Sequence, residues 1–276
     1  LITIKQNHYH VFGMFSLWLL LSQPVLAADL PTTATPRGLV SFTERGTGGD
    51  GSITVPETAP PIIVKPVDPH PSMPAGPLMI LDAPTFDFGT VEIASKNMLY
   101  SVKTVAYNQI NEDGSLAPEK SYYPPFLQVE DVRGNTVTQS WALTVAATPF
   151  TSGNQELIGA EIRIQRPSLV FNNSVVDERN PEGIITTESG YSINPKAQLI
   201  LSTDPGKGNA LTSLVMDTNY LEGKKNDGSL YTETDKIEDV QLYVPVTAYK
   251  EKAEIYQSTI TWSLYNTPEI VDGSRK

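Results

Sequence analysis

The 276-residue chain contains no cysteine. That excludes a disulfide framework, thiol nucleophiles, iron–sulfur clusters and cysteine zinc sites. With 39% apolar residues, a chain of this length can bury a sizeable core without disulfides. Histidine is nearly as scarce. The three present are His8, His10 and His70, two in an apolar N-terminal segment and one in a proline-rich stretch. Ser-His-Asp triads, histidine general bases and the usual zinc ligands are therefore excluded from the remainder. Carboxylates, Lys, Tyr, Ser and Thr remain. A glycosidase would need two carboxylates converging in a cleft, and among so many acids no pair stands out. The expectation is a protein that is not an enzyme, with no catalytic residue, no cofactor and no metal.

Positive charge is also in short supply. Lys and Arg number 20 against 31 Asp and Glu, a net charge of -11, and no basic cluster appears. Nucleic acid is excluded as a partner, because phosphate binding requires clustered cations.

What is present falls into three stretches. Residues 1–27 read as a signal peptide: Lys5 supplies the positive start, Val11 to Leu21 the apolar run, and Val25-Leu26-Ala27 a small-residue cleavage site. The apolar run is too short to span a bilayer comfortably. Cleavage would remove Trp18 and leave two tryptophans, Trp141 and Trp262. Residues 28–77 are punctuated by proline and by Gly46, Gly48, Gly49 and Gly51, and read as a partly polyproline, partly flexible, disordered linker. A short strand is possible at Gly38 to Thr43. From residue 78 to 276, short β-prone runs alternate with turn signals.

Tyr100 to Tyr107, Glu161 to Ile164, Gln198 to Ser202, alternate positions from Val240 to Val246, and Tyr256 to Tyr265 are the strongest such runs. Pro245 suggests an edge strand or a bulge. The segments 172–193 and 204–211 read as loops. No helical stripe longer than two turns is found. The expected architecture is an all-β domain, a β-sandwich or open barrel.

Two segments share one design. In Val137 to Val145, strand alternation sets Val137, Trp141, Leu143 and Val145 on one face. In Tyr256 to Leu264 it does the same for Tyr256, Ile260, Trp262 and Leu264. Each presents Trp and Leu side by side and then runs into a proline, Pro149 or Pro268. A fainter echo is Asp113-Gly114-Ser115-Leu116 against Asp227-Gly228-Ser229-Leu230, which either a duplication or common turn chemistry would explain. The acid-rich residues Asp227, Glu233, Asp235, Glu238 and Asp239 lack EF-hand spacing and read as a solvated loop, not a Ca²⁺ site. The Gly-containing run Asp204 to Asn209 precedes no helix, so it is no phosphate loop.

The leader, the spacer, the Phe86-Asp87-Phe88-Gly89 opening and the two motifs Trp141-Ala142-Leu143 and Trp262-Ser263-Leu264 together resemble the WxL domain surface proteins of Gram-positive bacteria. The resemblance implies a secreted, cell-surface protein attached non-covalently to the cell wall, with peptidoglycan as ligand. It also implies a membrane-anchored WxL-interacting protein and other surface proteins as neighbours. Since a Gram-positive wall is itself anionic, affinity would have to come from specific contacts or bridging cations. The residues leave the motif's role open. Trp141, Leu143, Trp262 and Leu264 are either core residues that define the domain or, for the tryptophans, partly exposed platforms for a ligand.

Overall fold

The computed structural model describes residues 52–68, 76–134, 140–171, 184–186 and 190–266, all within one compact unit that spans Phe42–Lys276. The expected leader, the candidate strand at 38–43, the Val137 end of the first motif and the C-terminal tail lie outside the described residues. Every regular element among the described residues is a strand.

Sixteen strands form four sheets of four. The first joins β1 (Ile53–Thr54), β2 (Ile63–Pro66), β5 (Val105–Ile110) and β6 (Leu116–Tyr123) in that order. The second runs β12 (Ser168–Phe171), β16 (Ala210–Val215), β7 (Phe126–Asp131), β3 (Leu78–Asp82). The third runs β14 (Tyr191–Ile193), β11 (Glu161–Ile164), β19 (Lys236–Val244), β4 (Met98–Lys103). The fourth runs β13 (Ile184–Thr186), β15 (Gln198–Thr203), β8 (Ala142–Ala147), β20 (Ile260–Tyr265). Two small ribbons complete the set: β9 (Thr151–Ser152) with β10 (Gln155–Glu156), and β17 (Tyr220–Leu221) with β18 (Lys224–Lys225).

The all-β expectation holds, but the β-sandwich or open barrel does not. The strands are divided among four small sheets arranged radially in the manner of a β-propeller, not two facing sheets or one closed barrel. The sheets are not built from consecutive hairpins as ordinary propeller blades are. The fourth, for instance, draws on segments that begin at Ala142, Ile184, Gln198 and Ile260. Alternation of apolar and polar residues identifies a strand and its buried face; it carries no information on how many strands share a sheet.

Several local expectations are revised by non-local pairing. The run Tyr100 to Tyr107 is two strands, β4 and β5, in different sheets. The break is at Thr104, whose N–H donates to Asp235 O and whose hydroxyl donates to Thr232 O at 2.7 Å. The segment 172–193 contains β13 and β14, and β16 begins inside 204–211. Part of the stretch expected as a spacer forms the β1–β2 hairpin, whose Val64 pairs with Gln109 of β5. Val55 and Val64 are buried there, and Gln128, itself buried, receives the Thr54 N–H at 3.1 Å. A few aliphatic residues suffice to dock this hairpin in a proline-rich context. Pro245 marks no edge: β19 lies between β11 and β4, and Pro245 follows its last residue, where no ladder donor is lost. The irregularity in β19 is a register shift between Ile237 and Gln241.

The core links the sheets. Tyr107 of β5 is buried, stacks on Phe126 of β7 with ring centroids 5.4 Å apart, and donates its hydroxyl to Asp82 at 2.7 Å. Burial and the neighbouring carboxylate hold that hydroxyl well above the usual tyrosine range.

Candidate functional site

The two tryptophan motifs are neighbours in space. β8 and β20 pair antiparallel through six uninterrupted positions, from Ile260 opposite Ala147 to Tyr265 opposite Ala142. Leu264 stands opposite Leu143, and Trp262 opposite Val145. Residues opposite one another in such a pair share a face, so Trp262, Leu264, Leu143 and Val145 form one apolar block.

Their burial differs. Leu143 and Val145 are fully buried, because β8 is an inner strand with β15 on its other side. Trp262 and Leu264 are half-buried on β20, the outermost strand of the sheet, where they pack against the core. Trp141 precedes β8 and is fully buried. Its N–H donates to Thr203 Oγ1 at 3.0 Å, and its carbonyl accepts the Thr203 N–H at 2.9 Å. Its indole Nε1–H donates to Gly208 O at 3.3 Å. A buried indole needs such a partner. Gly208 has φ of 76°, and a Cβ there would lie 2.9 Å from Trp141 Nε1 and 2.5 Å from Thr203 Cγ2. The loop Asp204 to Asn209 thus closes over the first tryptophan.

A second group was not legible in the sequence. Arg133 and Asp131 form a buried ion pair, with side chains 5% and 1% exposed and an Nη2 to Oδ2 distance of 2.7 Å. Nε also donates to Asp131 Oδ1 at 2.9 Å. The same guanidinium donates to Ser140 O at 3.5 Å, next to Trp141, and to the side-chain oxygen of Asn266, just past β20. One cation therefore ties together the ends of both motif segments. The D-x-R spacing at Asp131 and Arg133 is the signal that was present, and it is too common to have singled them out.

The two Asp-Gly-Ser turns have the same construction. Asp113 Oδ1 accepts the Ser115 N–H at 2.9 Å, as Asp227 Oδ1 accepts that of Ser229 at 2.9 Å. Gly114 and Gly228 have φ of 81° and 85°. The acid-rich segment is engaged internally: Asp235 pairs with Lys225 at 2.9 Å, and Asp239 accepts the Thr218 N–H at 2.7 Å. Among the described residues no group of three or more acids and histidines is placed to hold a metal ion.

The motif sheet is distinctive in charge. β13, β15, β8 and β20 contain no Asp, Glu, Lys or Arg, whereas each of the other sheets and ribbons contains at least one. The chain belongs to the WxL domain family: the family model described as WxL domain, surface cell wall-binding, matches residues 29–268. It is accordingly a secreted protein of the cell surface and cell wall, and the family domain is a non-catalytic surface-binding one. No curated protein and no solved structure matches the chain.

Proposed function

We propose that this protein is held non-covalently on the Gram-positive wall by direct binding of its WxL domain to peptidoglycan. The observation that carries the reading is the pairing of both motifs in one sheet. Leu143 sits on its inner strand β8, Trp141 just before that strand, and Leu264 and Trp262 alongside on β20. The motif is then a property of the folded domain, and the family that shares it is described by cell-wall binding. In this reading Trp141 and Leu143 define the domain, and Trp262 and Leu264, half-buried on the outer strand, are the motif residues nearest to a partner. With a net charge of -11 the chain is repelled in bulk by anionic wall polymers, so attachment rests on short-range contacts.

The test is sedimentation of the secreted chain with protein-free sacculi at low and high salt. Retention at both is expected, because short-range contacts outlast screening. Retention by intact cells but not by bare sacculi would transfer the attachment to a membrane-anchored WxL-interacting protein. Retention by neither would remove the reading.

A further inference from the structure

The outer edge of β20 is unlike the other sheet edges. Among the described residues no strand pairs with it. Exposed edges invite pairing with another chain, and proteins blunt them with short length, charge, proline or bulges. β1, β13 and β14 are two or three residues long. β6 carries Pro118, Glu119 and Lys120 and a register shift. β3 and β4 also have register shifts, and end in Asp82 and Lys103. β12 is four residues long and follows Pro167. β20 has six residues, regular pairing, no proline and no charge. The uncharged run extends from Ile255 to Pro268. Along it Ile260, Trp262 and Leu264 pack against the core on one side and keep part of their surface exposed.

We infer that this edge is covered by the same edge of a second copy, so that two β20 strands pair antiparallel about Trp262 in a symmetric dimer. The strand is self-complementary in that register. Trp262 faces the partner's Trp262, Ile260 faces the partner's Leu264, and on the other face Thr261 meets the partner's Ser263. Apolar side chains therefore meet apolar ones, and hydroxyls meet hydroxyls. Charge favours the same contact. Two chains of net charge -11 repel least where neither carries a charged side chain, and this edge meets that condition. The dimer has two wall-facing domains, which raises attachment to a polymeric wall through effective concentration without any new contact to it. The dimer itself does not depend on the identity of the wall ligand.

Sedimentation velocity of the secreted chain over a wide concentration range tests this in the absence of wall material. A concentration-dependent dimer is expected. Thr261→Glu with Ser263→Glu sets like charges opposite each other twice and should weaken the dimer about tenfold or more. Thr261→Lys with Ser263→Lys should do the same. An equimolar mixture of the two variants should restore the dimer, which also shows that both variants remain folded. A wild-type chain that is monomeric throughout overturns the inference, whatever else covers the edge. So does a Glu variant that dimerises as the wild type does, or a mixture that stays monomeric.

Discussion

Leu143 and Leu264 stand directly opposite each other across β8 and β20, one fully buried and the other half-buried. The same residue type in the same motif thus has two energetic weights. Leu143→Ala should destabilise the domain by about 2–5 kcal/mol, the range for a buried leucine that leaves a cavity. Leu264→Ala should cost less, because part of its side chain is already exposed in the folded domain. Urea denaturation of both variants checks the order, and equal costs would contradict the placement.

The two tryptophans should respond differently to a soluble quencher. In a chain produced from residue 28 onward, which omits Trp18, they are the only two tryptophans. Trp262→Phe leaves Trp141, sealed beneath Gly208, and its fluorescence should resist iodide. Trp141→Phe leaves Trp262, which should be quenched measurably. Similar quenching in both variants would show that the first indole is not enclosed.

Gly208 is confined by a positive φ and by the indole it covers. Gly208→Ala requires a side chain in a left-handed conformation and pushes a methyl into Trp141 and Thr203. A loss of about 2 kcal/mol or more is expected, with a shift of the Trp141 emission. A thermal midpoint unchanged from wild type would count against this close approach.

Arg133→Ala leaves Asp131 buried without its cation and should cost about 3–5 kcal/mol. Removing both charges, with Asp131→Leu and Arg133→Met, should recover much of that loss, since an apolar pair avoids the desolvation cost. Because the guanidinium also holds Ser140 and Asn266, hydrogen exchange should report the loss of Arg133 at both ends of the motif pair.

Asp217 gives the domain a pH signature. Burial pushes its carboxyl above the usual carboxylate range. The Asn219 N–H and Tyr231 hydroxyl pull against this, while the charge of Asp239 adds to it. A group whose folded value is raised binds its proton more tightly in the native state. Its ionisation is therefore a cost at neutral pH, relieved as pH falls through the folded value and fully removed below the unfolded value of about 3.9. Relative to Asp217→Asn, the wild type should gain stability between neutrality and about pH 4. Denaturation midpoints of the two proteins over that window measure the gap, and a constant gap would mean an unperturbed carboxyl.

The residues by themselves determined the absence of cysteine, the β character of the chain, the alternation in both tryptophan segments and the resemblance to the WxL family. These follow from residue type and near-neighbour spacing, which act within a few positions along the chain. The tertiary structure alone decided that the strands divide among four small sheets, that a hairpin from the proline-rich stretch joins the core, and that the two motifs pair with each other. It also decided that Trp141 is sealed and Trp262 is not. Both tryptophans lie in segments with the same alternation, so nothing local separates them. The difference is that Trp141, just before β8, lies under Gly208 and beside Thr203, whereas Trp262 lies on β20, which among the described residues has a neighbour on one side. A strand's place in its sheet is set by contacts between residues far apart in the chain, which no short pattern encodes.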